Sequence, residues 1–353
     1  MFQARLNNLR QLMEKQRLDS LVVTDLSNIF YLSGFTGSTA VLVVATSDVV
    51  ILVDSRYTIQ AGNQCPDARV VEFRGKSQMD AVGELLNSLK TGKTGFEADN
   101  ISVASFRTLR HHTDAEISFR GVSGLIRQLR RIKDDTEIAL SREAANITDK
   151  AMEYIVPKIV PGITEREIEI ELMVGMRRLG ADREGFDSII AAGPNAACPH
   201  ASPTDTVIQN NSFVKLDFGA SYKHYNGDIT RTISIGDPGD KFREIYAIVL
   251  GAQMAAIEAV KPGCTGKEID HVARQYITSA GYGENFGHGL GHALGIEVHD
   301  GPGFSVSSDI IVEPGMILTV EPGIYIEEWG GIRIEDDILV TDTGCEILTH
   351  YPK

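Results

Sequence analysis

The chain has 353 residues, 42% of them hydrophobic and 23% charged, which is an ordinary globular composition. At roughly 150 residues per domain it has room for about two domains, each with a core of its own. Lys and Arg number 34 against 48 Asp and Glu, a net charge of −14, so neither nucleic acid nor an anionic membrane is an expected partner.

The longest apolar runs, such as Ala40–Ala45 and Val49–Val53, are far shorter than the ~20 residues that span a bilayer. The start, Met1-Phe2-Gln3-Ala4-Arg5-Leu6, has no basic stretch leading into an apolar one, so no signal peptide is expected. Cys65, Cys198, Cys264 and Cys345 form no CxxC pair and read as free thiols of a cytoplasmic protein.

Phe2, Leu6, Leu9, Leu12 and Met13 recur at helical spacing and predict a helix over 2–17. Strands are expected at 21–24, 41–44 and 49–53, the last two joined by a turn at Thr46-Ser47-Asp48. Further strands are expected at 70–73, 95–97 and 117–119, with a helix at 79–89. The alternation predicts a layered α/β domain over 1–125 and a second domain over 126–353. From Ile126 a broken helical pattern runs to Val160. Its Arg127, Arg130, Arg131 and Lys133 read as a solvated face or an inter-domain contact.

An internal repeat organises the rest. Pro161-Gly162-Ile163-Thr164-Glu165-Arg166-Glu167-Ile168 returns 101 positions later as Pro262-Gly263-Cys264-Thr265-Gly266-Lys267-Glu268-Ile269. In both copies Pro-Gly ends a helix, and Thr-x-x-Glu forms a capping box for the next. Gly180 and Gly281, also 101 apart, end the two new helices. Downstream, Val214–Gly219 matches Leu318–Gly323, each an apolar strand ending in an acid, Asp217 or Glu321. A second strand in each copy brings another acid, Asp228 or Glu335. Duplication predicts that the four carboxylates meet about a pseudo-twofold axis.

Buried like charges repel and need a partner. Divalent cations are the natural one, since oxygen and imidazole donors suit them. Histidines stand nearby: His288, His292 and His299 fall within twelve residues, in a Gly-rich stretch that is not HExxH. Strand alternation places Arg333, Glu335 and Asp337 on one face, so Asp337 competes with Glu335.

The stretches Asp217-Phe218-Gly219, Tyr225–Thr232, His288–His299, Leu318–Gly323 and Gly331–Asp337 resemble the signatures of the M24 metallopeptidases. The proline-specific branch, aminopeptidase P and prolidase, is the nearest. The first 125 residues, with Tyr31-Leu32-Ser33-Gly34-Phe35, resemble the creatinase-type N-terminal domain, and the remainder the pseudo-symmetric α+β "pita-bread" catalytic domain. The resemblance implies two divalent metal ions, Mn2+ foremost with Co2+ or Zn2+ as alternatives, held by Asp217, Asp228, His292, Glu321 and Glu335. It implies that Glu321 also moves the proton, and that His200, His288, His299 and Tyr325 face the substrate. Thr230 and Arg333 would orient ligands or substrate. The implied substrates are small peptides with proline at the second position, and the implied assembly is a homodimer.

The activity expected is cleavage of the Xaa-Pro bond in the manner of aminopeptidase P. The alternative is prolidase, which needs a reader for the proline carboxylate; Asp300–Val312 contains no Lys or Arg. A methionine aminopeptidase is disfavoured by the extra N-terminal domain. Creatinase chemistry without metal, or a non-catalytic binding role, is disfavoured by the complete ligand set.

Overall fold

The structure, a computed structural model, describes residues 1–353. The chain divides into two compact units, Met1–Arg130 and Arg131–Lys353.

The first unit is built on one six-stranded mixed sheet. Its order is Arg69–Glu72, Val49–Val53, Val41–Ala45, Ser20–Val23, Lys93–Glu97 and Ser118–Val122. The three strands 20–23, 41–45 and 49–53 are buried along their whole length. That explains their continuous apolar runs, since alternation appears only where one face is wet. Helices form at Phe2–Lys15 and Gln78–Leu89, the latter opened by a Ser77/Asp80 capping box. Three short helices, Leu26–Ser33, Thr58–Gln64 and Val103–His111, were not expected. Seven to nine residues give barely two turns, too few for periodicity to register. Their starts are legible only in caps such as Asp25 and Ser102. Arg130 corrects the expectation of a solvated basic face. It is fully buried, and its Nη1 donates to Asn28 Oδ1 at 2.7 Å.

The second unit consists of two similar halves. Each has a helix pair, Asp135–Ile155 with Glu165–Arg178 and Asp240–Ala259 with Gly266–Ser279. Both capping boxes form, with Thr164 and Thr265 as caps and Glu167 and Glu268 closing them. Gly180 and Gly281 follow the helices with φ of +108° and +91°, the left-handed backbone that favours glycine. The helix pairs approach closely by a shared device. A Cβ on Gly175 would lie 2.4 Å from the Tyr154 ring, and one on Gly251 would lie 2.3 Å from the Tyr276 hydroxyl. Positions 175 and 276 are equivalent in the repeat, so glycine and tyrosine exchange helices between the copies.

In the first half Ser212–Phe218 pairs antiparallel with both Ile189–Ala192 and Ile229–Ile235. In the second, Ile317–Val320 pairs with Asp336–Val340, which pairs with Cys345–Ile347. Each helix pair buries its apolar stripe on its own strands. Ile168, Leu172 and Met176 join Val214, Leu216 and Phe218; Ile269, Ala273 and Ile277 join Leu318, Val320 and Ile338. A single bridge, Thr230 to Glu335, joins the strands of the two halves. Lys133 is a second correction: it is buried, with its Nζ 3.5 Å from Asp300 Oδ2.

Candidate metal centre and substrate cavity

The seam between the two halves gathers the acids. Thr230 is paired with Asp217 on one side and Glu335 on the other, so the three side chains emerge on one face. Thr230 Oγ1 donates to Glu335 Oε2 at 2.5 Å and accepts from Arg333 Nε at 3.2 Å. Asp228 stands just before the strand 229–235, and Glu321 just after 317–320. The loop carrying His292 is laced onto that second strand. His292 N–H donates to Thr319 Oγ1 at 3.0 Å, Thr319 N–H to the His292 carbonyl at 2.9 Å, and Glu321 N–H to the Leu290 carbonyl at 2.8 Å. Gly291 makes this approach possible, because a Cβ there would sit 2.0 Å from the Thr319 carbonyl oxygen.

One donor atom each from Asp228, His292 and Glu335 lies within 4.8 Å of the other two. His292 Nε2 is 3.6 Å from Asp228 Oδ2 and 3.6 Å from Glu321 Oε1. Its Nδ1 is 3.2 Å from the Ala293 carbonyl, which can only accept. The ring proton therefore belongs on Nδ1, and the Nε2 lone pair faces the acids. Asp217 is bonded by Arg333 Nη2. The competing acids turn elsewhere: Asp337 Oδ2 accepts the Asp228 N–H at 2.9 Å, and Asp336 pairs with the buried Arg231 at 2.8 Å. Neither lines the cavity, whereas Glu335 does.

The electrostatics call for added positive charge. Burial, then the neighbouring carboxylates, push the Asp228 and Glu335 carboxyls well above their ordinary range. Glu321 is raised as well, chiefly by burial. Burial and then His299 push His292 down to about 4. Asp228 Oδ1 is buried with no hydrogen-bond partner. An orphaned carboxylate oxygen among crowded acids, facing an imidazole lone pair and no thiolate, fits a hard or borderline divalent cation.

The acids open onto a cavity of about 710 Å³. His200 and His299 line it with Phe186, Val298 and Arg166. The His299 ring stands perpendicular to that of His292, centroids 4.4 Å apart. His200 is exposed, just past the single-turn helix Gly193–Ala197. His288 and Tyr325, expected at the substrate, do not line this cavity. They lie behind Arg333 in a chain of one polarity. Arg333 Nη1 donates to Tyr325 Oη at 2.8 Å, Tyr325 to His288 Nε2 at 2.9 Å, and His288 Nδ1 to the Gly289 carbonyl at 2.8 Å. The chain requires neutral His288, and burial followed by Arg333 pushes its pKa to about 4. Burial raises Tyr325 to about 12.

Two groups escaped the sequence reading. Lys215 is fully buried beside Asp217, and burial pushes its ammonium down to about 7, with Arg333 assisting. Glu165, which carries no role in the sequence reading beyond its place in the repeat, is fully buried and accepts from Ala192, Asn195 and Thr204. The available signal was a lysine inside the apolar run Phe213–Leu216.

A pseudo-symmetric α+β unit with nitrogen and oxygen donors gathered at its seam defines a metallopeptidase of the pita-bread class. Residues 139–342 match the metallopeptidase family M24, and residues 5–132 match the creatinase/prolidase N-terminal domain. The chain belongs to metallopeptidase family M24. It is similar to a solved Xaa-Pro dipeptidase from Bacillus anthracis, with 42% identity and a TM-score of 0.96 over 100% of this chain and 99% of that one. It is similar to the X-Pro aminopeptidase from Thermotoga maritima, with 39% identity and a TM-score of 0.89 over 95% and 96%. The Xaa-Pro dipeptidase of Pyrococcus furiosus is 36% identical over 98% of this chain and 97% of its own. No helix is long and apolar enough to cross a membrane.

Proposed function

We propose that this metallopeptidase hydrolyses the Xaa-Pro bond at the N-terminus of short peptides, with Xaa-Pro dipeptides as its main substrates. The observation that carries the reading is the orphaned, acid-crowded Asp228 beside the His292 lone pair at the head of the cavity. Asp217, Asp228, His292, Glu321 and Glu335 would hold two divalent ions, for which the oxygen-rich, thiolate-free donor set favours Mn2+. Bound there, such ions supply Lewis acidity and lower the pKa of water. Glu321, on the cavity wall beside His292, would accept a proton and return it to the leaving prolyl nitrogen. That nitrogen belongs to a tertiary amide and lacks a proton of its own. His299 and His200, on the cavity wall, would donate to the developing oxyanion.

Dipeptides come first because relatives named as Xaa-Pro dipeptidases match at 36–42% identity over nearly the whole chain. A carboxylate reader is available. The cavity wall holds two arginines, and Arg333 is committed to Asp217, Thr230, Tyr325 and the Pro199 carbonyl. Arg166 lines the cavity, half-exposed, and its only side-chain bond is from Nε to Asp205 at 3.0 Å. The aminopeptidase P reading keeps two observations in its favour, the absence of Lys and Arg from Asp300–Val312 and the 39% identity to the X-Pro aminopeptidase of Thermotoga maritima. Kinetics on Xaa-Pro, Xaa-Pro-amide and Xaa-Pro-Yaa with Mn2+ added decide between them. A dipeptidase prefers the free carboxylate, and Arg166→Gln should raise KM for Xaa-Pro while sparing the amide. Equal or better turnover of Xaa-Pro-Yaa establishes the aminopeptidase, and no turnover of any of the three removes the proposal.

A further inference from the structure

Lys215 takes no part in the chemistry above, yet it is a lysine with 0% exposure in an apolar strand. A buried ammonium is costly unless every proton finds an acceptor. Here all three donors go to one loop: Nζ lies 2.8 Å from the Cys198 carbonyl and 3.3 Å from those of Ala196 and Pro199. The next residue is His200.

The start of that loop is packed, with Ala196 fully buried in the core, but its following residues have little of their own to bury. Its residues Ala196, Ala197 and Cys198 are small, and the last is exposed. Its two ends are tied to one buried acid. Glu165 accepts Asn195 Nδ2 at 3.1 Å, and it accepts the Thr204 N–H at 2.9 Å and hydroxyl at 2.6 Å. Between these anchors the middle is held by Lys215, with Arg333 Nη1 on the Pro199 carbonyl at 3.2 Å. Lys215 and Asp217 are two apart on the strand Ser212–Phe218, so both project from one face. A single rigid strand thus carries an acid of the centre and the clamp for the loop. Lys215 Nζ also stands 5.2 Å from the Tyr325 ring centroid, a further contact that holds the ammonium.

We propose that Lys215 is a positioning residue: its ammonium gathers the carbonyls of 196–199 and so sets His200 at a fixed distance from the acids. The inference rests on the proposed peptidase function only for the part played by His200. The clamp itself is testable without substrate.

Lys215→Met removes all three donors at similar length, and Lys215→Gln keeps two. Hydrogen exchange followed by mass spectrometry should show amides of 196–203 exchanging at least about tenfold faster in Lys215→Met. Lys215→Gln should fall between, and the helix Glu165–Arg178 should be unchanged. Unchanged exchange in the loop, or faster exchange throughout the unit in both variants, overturns the clamp. In kinetics on Xaa-Pro, Lys215→Met should lower kcat/KM by about 10²-fold, the scale of a group displaced by about an ångström. Metal content by elemental analysis should not change. In a His200→Ala background the same substitution should cost less than about threefold more. Fully additive losses, or loss of metal, show that Lys215 acts on something other than His200. If wild type fails to cleave Xaa-Pro, the functional reading falls, while the exchange result still judges the clamp.

Discussion

Asp228→Asn tests the electrostatic logic of the centre through stability. Donor oxygens of Asp228 and Glu335 lie within 4.8 Å of each other. Two full charges at that separation repel by about 3.5 kcal/mol at an effective dielectric constant of about 20. Burial, and then Glu335, Asp217, Asp337 and Glu321, hold the Asp228 carboxyl well above its ordinary 3.8. A carboxyl raised in this way favours folding below its unfolded pKa, and that advantage disappears as pH climbs through the folded value. Near neutral pH the metal-free protein therefore carries a cost at this position. Asparagine has no charge to bury, so the variant should be more stable without metal by about 1–3 kcal/mol. The Coulomb figure is a ceiling, because proton uptake already relieves part of the repulsion. At roughly 2–4 °C per kcal/mol for a unit of 150–250 residues, the expected gain in Tm is about 2–12 °C. Scanning calorimetry in EDTA at pH 7.5 should show it, and at pH 4 the gain should shrink towards zero. Excess Mn2+ should reverse the order, raising wild type well above the variant. A variant no more stable than wild type in EDTA, or one whose Tm climbs with Mn2+ as wild type does, refutes the reasoning.

His200→Ala should lower kcat/KM for Xaa-Pro by about 10²-fold, the scale of one lost oxyanion or orienting contact, with metal content and Tm nearly unchanged; loss of metal would make His200 structural. His288→Asn should alter the pH dependence of stability in the metal-free protein. With His288 pushed to about 4, the unfolded chain takes up a proton from about pH 6.5 downward while the folded one does not, so wild type loses stability across that window. At about 1.36 kcal/mol per pH unit the loss reaches at most about 3 kcal/mol, and urea midpoints should show the gap between wild type and variant narrowing as pH falls. A gap constant from pH 7.5 to 4 would mean His288 is not the group responsible.

Local rules explain what was legible from sequence. Capping boxes 101 positions apart mark two helix starts because the cap, the acid that closes it and the helix it opens lie within four residues. Buried strands announce themselves as apolar runs, and the acids closing two of those runs pointed to a shared centre. Alternation, however, allowed Glu335 and Asp337 equally, while setting Asp336 on the opposite face. Contacts from more than 100 residues away separate them. Thr230 takes Glu335, Arg231 takes Asp336, and the Asp228 N–H takes Asp337, leaving Glu335 to face the cavity. Tertiary contact beyond the reach of local rules also hid Arg130, Lys133, Lys215 and Glu165. By composition they are surface residues, and only distant partners make their burial tolerable. It also moved His288 and Tyr325 from the expected substrate wall to positions behind Arg333, which comes from a different strand. The sequence by itself thus determined the repeat, the helix starts and the acids and histidines available to a metal, since each is written in a few adjacent residues. Which of them share one cavity, and which are held neutral or spent on structure, was decided only when strands far apart in the chain came into register. Burial and charge are sums over neighbours in space, and neighbours in sequence supply few of them.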